Sequence, residues 1–154
     1  MKTYKDTKYN IEITIPDEWY LDREKLPILP SILFLIKMGW VPGVEIQFHN
    51  SENEALNIAI EKMEPEPTPE ICEMMFRFVA QQGNYDQISF GRISVGGKDH
   101  AYARYRFCDA IWSKKYMIVL NGTGYAITGS CLNYEILIKR ETVWDSVVRS
   151  LKIL

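Results

Sequence analysis

An α+β fold, with one antiparallel sheet flanked by helices, is what this sequence predicts. Three observations carry it. Short runs of alternating apolar and polar residues recur along the chain, the pattern of half-buried strands. Two segments change to helical spacing, one near the middle and one at the C-terminal end. Gly-Gly and Asn-Gly turns join several of the runs. Such turns make hairpins, whereas parallel strands need crossovers of about a dozen residues or more. A doubly wound parallel fold is therefore excluded.

Tyr9, Ile11, Ile13 and Ile15 alternate with Asn10, Glu12 and Thr14, which predicts the first strand; Pro16-Asp17 stops it and Trp19 follows. Residues 26–44 are apolar without a clean period and carry Pro27, Pro30, Gly39, Pro42 and Gly43. They read as a long loop holding a short strand or helix near residues 31–38. Val44, Ile46 and Phe48 alternate with Glu45, Gln47 and His49; after the polar turn Asn50-Ser51-Glu52-Asn53, Leu56, Ile58 and Ile60 alternate with Asn57, Ala59 and Glu61. Two alternating runs around a short turn predict a hairpin.

Residues 63–69 form a stiff acidic connector. Thr68 then offers a capping hydroxyl, Pro69 fits the first helical position, and Glu70 favours the positive end of the helix dipole. Ile71, Met74, Met75, Phe78 and Val79 lie on one helix face, and Gly83 is placed to end the helix. Strand signals resume at Ile88 and Phe90 and run to Val95. The turn at Gly96-Gly97 leads to Ala101, Ala103, Tyr105 and Phe107, alternating with Tyr102, Arg104 and Arg106. Tyr116, Ile118 and Leu120 make the next strand, Asn121-Gly122 the next turn, and residues 125–132 the strand after it. Four such strands in succession are a meander. A second helix carries Val143, Trp144, Val147, Val148 and Leu151, and Tyr134, Leu137 and Ile138 place its start near Asn133.

The 154 residues predict a single globular domain, 1–154. A chain of this length buries roughly 68–70% of its unfolded surface, so its core requires neither disulfide nor metal. Net charge is −2, which excludes bulk nucleic-acid binding, since that shows a basic footprint. Cys72, Cys108 and Cys131 are too few and too widely spaced for a disulfide framework or a zinc site, and read as small packed residues. The most apolar stretch, 28–36, is interrupted by Pro30 and falls far short of the roughly 20 residues that span a membrane. No apolar h-region follows Met1. With Met1 as the natural start, a cytoplasmic protein is expected.

Catalytic signatures are missing. His49 and His100 fall at polar strand phases or near turns, where histidines are expected to be solvated. There is no Gly-x-Ser-x-Gly elbow. Gly122-Thr123-Gly124 lies between strands, whereas a phosphate loop precedes a helix. Asn121-Gly122-Thr123 would be a glycosylation acceptor only in a secreted protein. No cofactor and no metal are expected. Charge is uneven: residues 45–74 hold eight Glu against Lys62, a net −7, while residues 92–115 hold six basic side chains against Asp99 and Asp109, a net +4. Complementary potentials steer association, and Tyr and Arg are enriched at interface hot spots. The candidate partner-binding residues are therefore Tyr102, Arg104 and Arg106, which share one strand face. Leu29, Leu33 and Trp40 join them, from a loop too broken by proline to bury all its apolar side chains.

The step Ile15-Pro16-Asp17-Glu18-Trp19 resembles an early motif of PsbP-like proteins, an apolar residue followed by Pro, an acidic residue or Gly, any residue, and Trp. The proline-started middle helix, the meander and a last helix ending Ser150-Leu151-Lys152 are similar in layout, while residues 26–44 depart from it. The superfamily includes PsbP, the Ran-binding Mog proteins, and bacterial DcrB-like and Eag-type chaperone proteins. The resemblance implies an α/β/α sandwich and non-enzymatic work. PsbP assists a photosynthetic complex, Mog proteins bind a small GTPase, and Eag-type proteins hold apolar segments of secreted effectors. Pro16, Trp19 and Leu151 match as structural positions. The expectation is thus a non-catalytic protein-interaction or chaperone-like module whose partner is another protein. The alternative is a small-ligand-binding protein with its pocket between the sheet and residues 26–44. An enzyme would need titratable groups, such as His100 with Asp99 or Glu61, converging in a cleft.

Overall fold

The structure, a computed structural model, describes residues 1–21, 46–49 and 54–154. Ten strands and two helices follow in order: β1 (Lys2–Asp6), β2 (Ile11–Ile15), β3 (Tyr20–Leu21), β4 (Ile46–His49), β5 (Ala55–Lys62), α1 (Pro69–Gln81), β6 (Tyr85–Val95), β7 (Lys98–Phe107), β8 (Ile111–Leu120), β9 (Thr123–Cys131), α2 (Tyr134–Arg149) and β10 (Lys152–Ile153). The meander, both helices and the β4–β5 hairpin lie where the periodicity predicts them.

The strands form two antiparallel sheets, not the single one expected. A large sheet has the order β3-β4-β5-β9-β8-β7-β6, and a small one the order β1-β2-β10. Alternation shows that β2 has one buried face but cannot say which strand it joins. In the structure it pairs with β1, whose Lys-Thr-Tyr-Lys-Asp carries no apolar period, and with the two-residue β10. The short pieces β3 and β10 fall below the length at which a period is visible.

Local chemistry sets the boundaries. Gly96 and Gly97 turn β6 into β7 at φ +62° and +76°, and Asn121-Gly122 turns β8 into β9 at +50° and +76°. Those left-handed values belong to the hairpin turns that Gly and Asn tolerate. Thr68 Oγ1 accepts from the Ile71 N–H at 3.2 Å, which caps α1. Asn133 Oδ1 accepts from the Glu135 N–H at 2.7 Å, which caps α2.

The layers are α1, the large sheet, then α2 with the small sheet. The main core fills the space on the α2 side, where Ile11, Ile13, Trp19, Ile58, Ile127 and Trp144 are fully or almost fully buried. The α1 side has a thinner core of Ala59, Cys72, Ala101, Met117, Val119 and Ala126. Small side chains under α1 leave space between helix and sheet.

Candidate binding site

Side chains of β7 alternate between the two faces. Tyr102, Arg104 and Arg106 point away from α1, as the shared-face reading requires. Tyr102 lies over Gly91, where an added Cβ would come within 2.3 Å of its ring. Beside it lies Lys114, whose Nζ sits 4.2 Å from the ring centroid and 2.8 Å from Asp145 of α2. Arg104 donates to Glu141 of α2 at 2.8 Å, and this bond pushes its guanidinium pKa up. Arg106 donates to Asp86 through Nε at 2.8 Å and faces Asp109 at 3.3 Å; the same bond holds the Asp86 carboxyl below its ordinary value. These residues come together, but acidic partners within the chain already engage both arginines. Leu29, Leu33 and Trp40 lie outside the described residues.

The two charged segments also answer one another. Glu73 pairs with Arg92 at 3.0 Å, and Glu66 with Lys98 at 3.2 Å. Part of the −7 and +4 contrast is therefore cancelled across the α1 side of the fold.

The opposite sheet face carries an apolar-lined cavity. It lies beneath α1 and has a volume of about 200 Å³. Cys72, Met75, Phe76, Val79 and Ala80 of α1 roof it. Its floor follows from strand register: Gln47 lies opposite Asn57, Asn57 opposite Thr128, Thr128 opposite Lys115, Lys115 opposite Ala103, and Ala103 opposite Phe90. One row across the sheet thus sets Asn57, Thr128 and Lys115 side by side on the floor. Ser113 and Ser130 hydrogen-bond each other at 3.0 Å in the next row. Burial pushes the Lys115 ammonium pKa down, with the Glu61 charge opposing. It also pushes the Tyr105 hydroxyl up, and Tyr85 to about 12.

The outer surface of α1 is the second feature. Met74 is 67% exposed and Phe78 64% exposed, with Ile71, Met75 and nearby Ile88 also exposed. Four residues of the predicted apolar face, Ile71, Met74, Met75 and Phe78, are therefore turned to solvent, while the fifth, Val79, joins Cys72, Phe76 and Ala80 in a second arc that meets the sheet. At about 100° per residue the two arcs are adjacent. The signal in the sequence was an apolar surface wider than one buried stripe needs.

His100 corrects an expectation. It is 3% exposed, not solvated. Its Nδ1 accepts from the Val119 N–H at 3.2 Å, so Nε2 carries the proton and donates to the Val95 carbonyl at 3.0 Å. Burial holds its pKa down, aided by Lys98 and opposed by the Val95 bond, Asp99 and Glu66. The folded chain binds this proton less readily than the unfolded chain. The stabilisation is therefore complete above the unfolded value of about 6.5 and is lost as pH falls below it. Melting temperature is expected to fall between pH 7.5 and 5 by more in the wild type than in His100→Gln; equal falls would remove His100 as the cause. His49 is half-buried and meets the Tyr20 ring edge-on at 4.0 Å. Cys72 and Cys131 are buried, as packed residues should be, while Cys108 is exposed at a turn.

Among the described residues no cluster of three or more His, Cys, Asp or Glu side chains could hold a metal ion, and no helix is long and apolar enough to cross a membrane. No family model matches the chain, and no curated protein matches it. Solved structures do. The solution structure of cyanobacterial PsbP (CyanoP) from Synechocystis sp. PCC 6803 superposes with a TM-score of 0.66, covering 99% of this chain and 92% of that one at 19% identity. A crystal structure from Bacteroides thetaiotaomicron VPI-5482 gives 0.63 at 9% identity, covering 99% of this chain but 48% of that one, so the chain spans about half that protein. Identities this low speak to architecture alone. Two antiparallel sheets with two helices among the described residues, matched over 99% of the chain, give this protein a PsbP-like fold.

Proposed function

We propose that the protein is a non-catalytic docking module that holds an apolar segment of another protein on the outer face of α1. The exposure of Ile71, Met74, Met75 and Phe78 on that face carries the reading. Contiguous apolar surface of this kind marks interaction sites, and methionine adapts its shape to varied apolar partners. Glu70 and Arg77, both exposed, supply a polar rim. The Tyr102, Arg104 and Arg106 face is the weaker candidate, because forming a complex there would break the pairs with Glu141 and Asp86.

Met74→Glu with Phe78→Glu tests it. Both side chains are exposed, so stability is expected to change by no more than about 0.5 kcal/mol per site. A stoichiometric partner captured by the wild type should be lost by this variant and kept by Arg104→Glu with Arg106→Glu. The reverse pattern would move the interface to β7, and a partner indifferent to both variants would refute the α1 reading.

A further inference from the structure

We propose that the cavity beneath α1 is a binding site for a small apolar monocarboxylate bearing a hydroxyl group at its far end. The inference is separate from docking on the outer face, since it uses the adjoining arc of the helix that faces the sheet.

The chemistry of the lining selects the ligand. The roof is apolar, with Cys72, Phe76, Val79 and Ala80, and suits a flat or short-chain hydrocarbon body. The floor offers one cation. Lys115 points under the helix, its Nζ 6.0 Å from the Phe76 ring centroid, and it forms no ion pair with any described residue. An ammonium in such surroundings is costly unless a counter-charge meets it, which favours a carboxylate head there. Glu61 also lines the cavity and is exposed to solvent. Its charge reaches Lys115 and offsets part of the cost of burying that ammonium, without forming an ion pair with it.

The hydroxyl follows from Asn57. This side chain is 5% exposed and lines the cavity, and its Oδ1 has no hydrogen-bond donor among the described residues. A buried carbonyl oxygen requires a donor, which a carboxylate cannot supply. Asn57 lies two strands from Lys115 along the same row, a separation of about 10 Å at the usual strand spacing. Thr128 stands between them. A carboxylate at one end and a hydroxyl at the other would span the row. The volume of about 200 Å³ equals that of six or seven waters at about 30 Å³ each, which limits the ligand to about a dozen non-hydrogen atoms.

Calorimetric titration of the full chain with 4-hydroxycinnamate, its methyl ester and cinnamate tests the assignment. The acid is expected to bind one to one. The methyl ester and Lys115→Met should each weaken binding at least about tenfold, as loss of one partner of a buried charge pair does. Cinnamate, or Asn57→Leu with the hydroxylated acid, should lose several-fold. Affinity should fall as pH rises, because only the charged ammonium pairs with the acid. Melting curves of both variants establish that they fold, and amide shifts on titration should map to residues 72–80 and 113–117. Absence of saturable binding by the wild type, equal binding by folded Lys115→Met, or an ester binding as tightly as the acid would each overturn the proposal. Met74→Glu with Phe78→Glu should bind the acid like the wild type, so failure of the docking reading and failure of this one are distinguishable.

Discussion

Replacing Glu54 by alanine is expected to destabilise the protein by about 3–5 kcal/mol, the range for removing one partner of a buried ion pair. Glu54 is 2% exposed and stands just before β5. Its two oxygens share the single N–H of the Arg140 Nε, at 2.8 and 3.0 Å, and one of them accepts a short bond from the Trp144 indole N–H. Without it, a guanidinium and an indole donor of α2 remain inside without an acceptor. Among the described residues the other carboxylate near Arg140 is Glu18, which lies 3.6 Å from Nη2 and is too distant for a good hydrogen bond. For a chain of this length each kcal/mol moves the melting temperature by about 2–4 °C, so a drop near 10 °C is expected. Glu54→Gln keeps the volume and one acceptor and should recover part of the loss. A Glu54→Ala protein that melts within about 2 °C of the wild type would show that the cluster does not secure α2 to the sheet.

Gly129→Ala is expected to cost about 3 kcal/mol, toward the upper end for overpacking a core. The added Cβ would lie 2.5 Å from two ring atoms of Trp144. That ring is completely buried, and its indole nitrogen is tied to Glu54, so it cannot swing aside as an exposed side chain would. A cycle with Trp144→Ala separates the causes. Trp144→Ala alone should cost about 3–5 kcal/mol through the cavity it leaves. In that background, however, Gly129→Ala should cost less than about 0.5 kcal/mol, because the steric term has gone. Urea unfolding of the four proteins gives the coupling energy. Additive costs would place the penalty in the strand backbone and not in the ring.

What the sequence made legible follows how far each signal reaches. Thr68-Pro69, Gly96-Gly97 and Asn121-Gly122 act within a few residues, and the helix start and turns they predict are present. The small sheet escaped because β2 meets β10 only through residues some 140 positions away, and nothing in Lys152-Ile153 announces that pairing. His100 escaped for a related reason: its partners are backbone groups of Val95 and Val119, which sequence spacing cannot bring to it. The apolar face of α1 was read correctly as a face but without its orientation. Period fixes which residues align and leaves open whether protein or solvent receives them. The Lys115 row was invisible, since Asn57, Thr128 and Lys115 become neighbours only through the registers of three strands.

The division of the interior into a thick and a thin side also has an evolutionary consequence. Among the described residues, none of the twenty buried in the main core comes from α1, which commits only Cys72 to full burial in the smaller cluster. Substitutions on the solvent face of this helix, at Met74 or Phe78, therefore barely touch the free energy that keeps the chain folded. Selection can rewrite its solvent face, changing what the molecule recognises, while the framework of sheets and C-terminal helix tolerates the drift. Recognition and foldability are written in different parts of the same polymer, so one can diverge quickly while the other stands still.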